Sequence, residues 1–252
     1  MLFNLSGMEI KTGTIEGLKV EYLVEGDGQD FLFLHGALLS FRSSLSFIGE
    51  LSKCFRVWAP SIVGAGKSSR LPKGWKFEDY GEFVKGFVEK FKIKPIIAGH
   101  SFGGAIAIKA KALSPDRFRD LILFSSAGIK DKFIIKTIGN IIFDRRKVLL
   151  FLGDAVRRND VLLSIFYHPL DILKLITIYK DLDLSEDIQH INEKVLIFWA
   201  KDDEMLSVKY LDGFRDLFRM KEIHILNGPH DFINSRSDVI VEMIKRKIGK
   251  DD

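Results

Sequence analysis

Three residue types in this chain could together make a serine reactive: Ser101, then an acid at Asp202 or Asp203, then His230. Ser101 is the centre of Gly99-His100-Ser101-Phe102-Gly103, a G-x-S-x-G pattern. A short apolar run, Ile96 to Ala98, enters it, and an Ala/Ile-rich segment with helical character leaves it. Strand, sharp turn and helix in that order lift a serine hydroxyl over the edge of a sheet in a strained backbone conformation. The positions two before and two after the serine are squeezed together, and Gly99 and Gly103 leave room there, while Gly104 lets the helix approach closely. The helix N-terminus then sets its partial positive charge beside the hydroxyl.

A serine hydroxyl is barely ionised at neutral pH, so Ser101 needs a base. Of the six histidines, His230 sits in Asn227-Gly228-Pro229-His230-Asp231-Phe232, between the last predicted strand and the last predicted helix. A loop there shares the carboxyl edge of a parallel sheet with Ser101. The base in turn needs a carboxylate to fix its tautomer and balance its charge. Trp199-Ala200-Lys201-Asp202-Asp203-Glu204 follows another predicted strand and offers one at the same edge.

The elements that must position these residues are legible in the hydropathy. Alternation from about Met8 to Glu25 predicts two antiparallel strands joined at Glu16-Gly17. Continuous apolar runs at Phe31–Leu34, Ile96–Ala98, Leu121–Phe124 and Val195–Trp199 predict buried strands, and a further strand is expected at Phe55–Ala59. A last strand is expected at Glu222–Leu226. Between them, helices are predicted around Ser43–Leu51, Phe77–Phe91, Leu206–Phe218 and Phe232–Lys247, with Ser114-Pro115 stopping the one after Ser101. Repeated βα units imply a mostly parallel central sheet flanked by helices. From Gly128 to about His190 that rhythm stops and only apolar, helix-like sequence remains. The expected organisation is an α/β core of 1–128 and 191–252 with a helical cap, or lid, inserted at 129–190.

Composition narrows the function classes. The 252 residues carry 46% hydrophobic and 29% charged residues, ordinary for a globular domain with a substantial core. The net charge is only +4, with neither a basic stripe nor a reader motif, so no nucleic-acid partner is expected. The lone Cys54 cannot form an internal disulfide, the N-terminal stretch lacks the features of a signal peptide, and no apolar run is long enough to span a bilayer. A cytoplasmic protein is the expectation. No metal-ligand spacing or cofactor fingerprint is present, and none of either is expected. Gly64-Ala65-Gly66-Lys67-Ser68 suggests a phosphate loop, but that pattern requires Gly where Ser61 stands.

The constellation resembles the α/β-hydrolase superfamily along nearly the whole chain outside the cap. The family's W-G-x-x-D strand end matches Trp199-Ala200-Lys201-Asp202-Asp203, with Ala200 for the usual Gly, and this register puts the acid on Asp203. The turn Ser61-Ile62-Val63-Gly64-Ala65-Gly66-Lys67-Ser68 resembles the family's D-x-x-G-x-G-x-S, with Ser61 replacing the Asp. The H-G loop after the family's third strand matches His35-Gly36-Ala37, which implies the backbone N–H of Ala37 as one oxyanion donor. The backbone N–H of Phe102, directly after the nucleophile, is the other. His35 and His100 then serve to shape the structure. The resemblance implies a Ser101-His230-Asp203 triad and a serine hydrolase that cleaves small-molecule acyl esters through an acyl-enzyme, as a carboxylesterase does. The fold also hosts thioesterases, C–C bond hydrolases, perhydrolases, amidases and acyltransferases, as well as non-catalytic ligand receptors.

The assigned register has a direct test. Asp203→Asn should cut ester turnover by several orders of magnitude, since a wrong His tautomer costs about 10⁴ in a serine protease triad. Asp202→Asn should be far milder. Steady-state kinetics of the two variants would reveal a one-residue shift as a reversal.

Overall fold

A computed structural model describes residues 9–130 and 155–248. Glu16 and Gly17 both take positive φ, 49° and 81°. That is the backbone of a tight hairpin turn matched to strand twist, and it folds β1 (Ile10–Ile15) onto β2 (Leu18–Glu25). The remaining strands follow as β3 (Asp30–Leu34), β4 (Arg56–Pro60), β5 (Ile96–His100), β6 (Leu121–Phe124), β7 (Val195–Ala200) and β8 (Lys221–Leu226). They form one sheet in the order β1-β2-β4-β3-β5-β6-β7-β8. Both pairings of β2 are antiparallel, and every other pairing is parallel.

Parallel neighbours need crossovers, and these supply the helices. They are α1 (Leu45–Leu51), α2 (Phe77–Phe91), α3 (Phe102–Leu113), α4 (Ala155–Tyr167), α5 (Asp171–Lys180), α6 (Ser185–Gln189), α7 (Leu211–Leu217), α8 (Phe232–Ser235) and α9 (Ser237–Ile248). Alternate side chains of each strand enter opposite cores, as a period of two requires. Leu32, Leu34, Ile97, Leu123 and Trp199 join the core beneath α2, α3 and α7. Phe31, Phe33, Ile96, Phe124 and Phe198 join the core beneath α1, α8 and α9. β3 lies between β4 and β5, so the chain order reverses at the carboxyl ends of β3 and β5. Such a switch point is where open α/β sheets bind ligands.

Among the described residues, none from Gly128 to His190 joins the sheet, and α4, α5 and α6 lie in that segment. Residues 131–154 of the expected cap lie outside the described residues. Buried polar contacts fasten the inserted helices to the core. Asp160 of α4 accepts from the backbone N–H of Ser40 at 2.6 Å and also from the Ser40 hydroxyl. Asp171 of α5 accepts from Leu71 N–H at 2.9 Å. His168, between them, donates from Nε2 to the Gly66 carbonyl at 3.0 Å.

Two expected helices differ in extent. The one expected from Leu206 is a single 3₁₀ turn at Val208–Tyr210 followed by the short α7. Asp203 accepts from the N–H groups of Met205 and Leu206, and Trp199 donates its indole N–H to the Leu206 carbonyl at 2.9 Å. These bonds hold the segment as a loop. The C-terminal helix breaks at Arg236, whose φ of −124° is not helical. Asn234 just before it is tied to Asp231 and to the Ser43 carbonyl.

Asp160→Ala would leave the Ser40 N–H and hydroxyl buried without their acceptor. An unmade buried hydrogen bond of this kind costs about 1–3 kcal/mol. The urea midpoint of the variant should fall accordingly, with the slope of the transition unchanged.

Candidate active site

Ser101 stands between β5 and α3 at φ 55°, ψ −120°, a region that costs a non-glycine residue of order 1–3 kcal/mol. Its neighbours over-determine the turn. The Ser101 N–H donates to the Phe124 carbonyl at 3.0 Å, and its carbonyl accepts from Gly104 and Ala127, each at 3.0 Å. A Cβ on Gly99 would overlap the Gly103 carbonyl, one on Gly103 the Leu34 carbonyl, and one on Gly104 the Ser126 hydroxyl. All three glycines therefore permit close contacts that any side chain would forbid. The packing expected from the G-x-S-x-G spacing is the packing observed.

His230 lies in the loop between β8 and α8, and Asp203 in the loop after β7. Nδ1 of His230 reaches both carboxylate oxygens of Asp203, at 2.9 and 2.8 Å. A carboxylate only accepts, so Nδ1 carries the proton and Nε2 keeps its lone pair. Asp203 is itself held by the N–H groups of Met205 at 2.9 Å and Leu206 at 2.7 Å. Asp202 instead turns outward and accepts from Gly228 N–H at 3.3 Å. The His230 backbone is fixed from both sides: its N–H donates to Glu204 at 3.1 Å, and its carbonyl accepts from His100 Nε2 at 2.9 Å.

The loop leaving β3 runs directly against the turn at Ser101, since a Cβ on Gly36 would lie 3.5 Å from Ser101 Cβ. His35 braces this loop, donating from Nδ1 to the Gly36 carbonyl at 2.8 Å and accepting from Ile62 N–H at 3.0 Å. Burial pushes its pKa down to about 4, so it stays neutral and structural. Ala37 is thereby placed beside the first turn of α3. Phe102 opens that helix, where a backbone N–H has no carbonyl four residues back to receive it.

A family model described as the alpha/beta hydrolase fold matches residues 31–138. A membrane phospholipase A described as a bacterial virulence factor superposes with a TM-score of 0.84 at 18% identity, covering 97% of this chain and 87% of that one. A bromoperoxidase from Bacillus anthracis superposes with a TM-score of 0.80 at 19% identity, covering 96% of this chain and 100% of that one. The chain has the alpha/beta hydrolase fold. The chain is also similar to the pimeloyl-[acyl-carrier protein] methyl ester esterase of Aliivibrio fischeri strain MJ11. The two are 27% identical over 214 residues, 75% of this chain and 82% of that one.

The hydrolase fold brings Ser101, Asp203 and His230, together with Ala37, to one sheet edge. It explains the phosphate-loop resemblance as well. The N–H of Lys67 donates to the buried Glu21 carboxylate at 3.2 Å, and Glu21 is held by Arg42 at 2.6 and 2.8 Å. A protein carboxylate thus occupies the place an anion would take. Among the described residues, no group of three His, Cys, Asp or Glu could hold a metal, and no helix is long and apolar enough to cross a membrane. Three residues at the site escaped the sequence reading. Ser125 helps to keep the Asp203 carboxyl below its ordinary value, Glu204 holds the His230 N–H, and the Tyr179 ring of α5 stacks on Phe102, the residue after Ser101, with centroids 5.2 Å apart.

Electrostatics make Asp203 and His230 a charge-ready pair. Burial alone would raise the Asp203 carboxyl, but the facing His230 and the hydrogen bonds of His230, Leu206 and Ser125 hold it below its ordinary value. Burial alone would lower His230, yet the Asp203 carboxylate, with Glu204 and Asp231, keeps it above the ordinary histidine value. The Asp203 contribution to stability is present above its unfolded pKa and fades as pH falls through the lowered folded value. The His230 contribution is present below its unfolded pKa and fades as pH rises through the raised one. NMR titration of the His230 ring should therefore give a midpoint above about 6.5. In Asp203→Asn burial would outweigh the remaining carboxylates, and the midpoint should drop below that value.

Proposed function

We propose that the chain is a cofactor-independent serine esterase acting on small-molecule acyl esters. The observation that carries this reading is the buried pair His230–Asp203, whose geometry leaves Nε2 as a free base on the sheet edge that also presents Ser101. In this reading Nε2 of His230 takes the proton of the Ser101 hydroxyl as Oγ bonds to the ester carbon. The carbonyl electron pair moves onto oxygen, where the N–H groups of Ala37 and Phe102 receive it. The C–O bond to the alcohol then breaks, and the alkoxide leaves with the proton held on Nε2. Water repeats the sequence on the acyl-enzyme and releases the acid.

The segment 129–190 serves as the cap over this site, and 1–128 with 191–252 as the core. Support for that comes from Tyr179 of α5, whose ring stacks on Phe102 next to Ser101. An apolar cap suits an acyl chain better than a peptide. The esterase from Aliivibrio fischeri that this chain resembles is named for ester cleavage, which favours the same reading.

An alkyl fluorophosphonate should inactivate the enzyme with one equivalent bound at Ser101, and Ser101→Ala should abolish both labelling and turnover of 4-nitrophenyl butyrate. kcat/KM should rise with pH through one ionisation, because only neutral His230 can accept the serine proton. A well-folded protein that ignores the phosphonate and every ester would favour a ligand receptor on the same scaffold.

A further inference from the structure

His100 immediately precedes Ser101, and its ring reaches the loop of His230. Side chains alternate along β5, so His100 follows Ile96 and Ala98 onto the face that packs against α8. The loop carrying His230 runs into α8 on that face. Nε2 of His100 meets the His230 carbonyl at 2.9 Å, and since a carbonyl only accepts, that nitrogen carries a proton. The two imidazole rings have centroids 4.7 Å apart and planes 43° from parallel. Nδ1 of His100 faces the loop after β3, since a Cβ on Gly36 would lie 3.6 Å from it. Only 3% of His100 is exposed, so these neighbours enclose the ring.

The reach demanded of His230 explains why this tie matters. β6 and β7 separate β5 from β8, and three strand spacings amount to about 14 Å. The loop after β8 must cross that width, and a general base works within about 2.6–3.2 Å of the atom whose proton it takes. Asp203 and Glu204 anchor His230 to the loop after β7. His100 anchors it to the turn that holds Ser101. On the reading of Ser101 as nucleophile and His230 as base, we infer that His100 is a positioning residue, whose Nε2–H, given to the His230 carbonyl, sets the gap between the two. One residue is joined to the nucleophile by a peptide bond and to the base by a hydrogen bond. It acts through His230 and exchanges no proton with the reactants. Alignment of this kind governs the chemical step rather than substrate binding, so it belongs to kcat more than to KM.

The test compares His100→Gln, His100→Asn and His100→Phe. A glutamine amide nitrogen lies as far along the side chain as the imidazole Nε2, whereas an asparagine amide nitrogen matches Nδ1. Phenylalanine keeps a ring and removes both nitrogens. With 4-nitrophenyl butyrate, kcat of His100→Phe and His100→Asn should fall about 10- to 100-fold, the cost of a misplaced catalytic group. KM should change by less than about threefold, and His100→Gln should keep kcat within about threefold of the wild type. The rate of inactivation by the alkyl fluorophosphonate should follow the same order. The NMR midpoint of His230 should stay above about 6.5 in each variant, because the bond to Asp203 is intact. The phosphonate bound at completion counts folded sites and puts every rate on a per-site basis. Should His100→Phe fail to fold, His100→Leu removes the donor and keeps apolar bulk. A ring needed only for packing would give the reverse order, with His100→Phe the least affected. That order, or equal rates in all three variants, with the wild type still labelled and active, would overturn this role alone. A wild-type protein that resists the phosphonate and cleaves no ester would overturn the esterase reading and this role with it.

Discussion

The backbone of Ser101 is the constraint on which the rest depends. A serine at φ 55°, ψ −120° does not hold that shape unaided, and here it is imposed by crossing chains. β6 receives the Ser101 N–H, the segment after β6 donates back to its carbonyl, and the β3 carboxyl end presses on Gly103. Three parallel strands must therefore be in register before the turn can form. The parallel sheet acts as the clamp that keeps one hydroxyl out of the packed interior.

The same sheet edge solves a second problem, the burial of opposite charges. A lone buried carboxylate or imidazolium would be costly. Asp203 avoids this with two backbone N–H donors, the Ser125 hydroxyl and the ring of His230. His230 avoids it through that carboxylate and through contacts that fix its backbone on both sides. Neither residue could be moved by a turn of chain without stranding the other.

What could be read from the sequence tracks how local each constraint is. The turn at Ser101 declares itself because the strand, the three glycines and the helix that create it lie within a dozen residues. Helix α2 shows its bounds because Phe77, Tyr80, Val84, Phe87 and Val88 repeat at helical spacing and are all buried. The loop after Trp199 was harder: its apolar Leu206 suggests a helix, and only the side chains of Asp203 and Trp199 hold it open. Tyr179 carries no local signal at all. It lies in an apolar stretch like any core residue, and only packing across the fold brings it to Phe102.

The bond between Ser40 and Asp160 spans 120 residues of sequence and joins the loop that carries Ala37 to the first described helix of the insertion. Proteins open in cooperative patches rather than atom by atom. With Asp160 buried and its acceptor oxygens committed to Ser40, lifting that helix away exposes a carboxylate's former partners and frees the loop. The loop and the helix thus belong to one unit of local unfolding. Any fluctuation large enough to lift that helix therefore also slackens the loop beside Ser101.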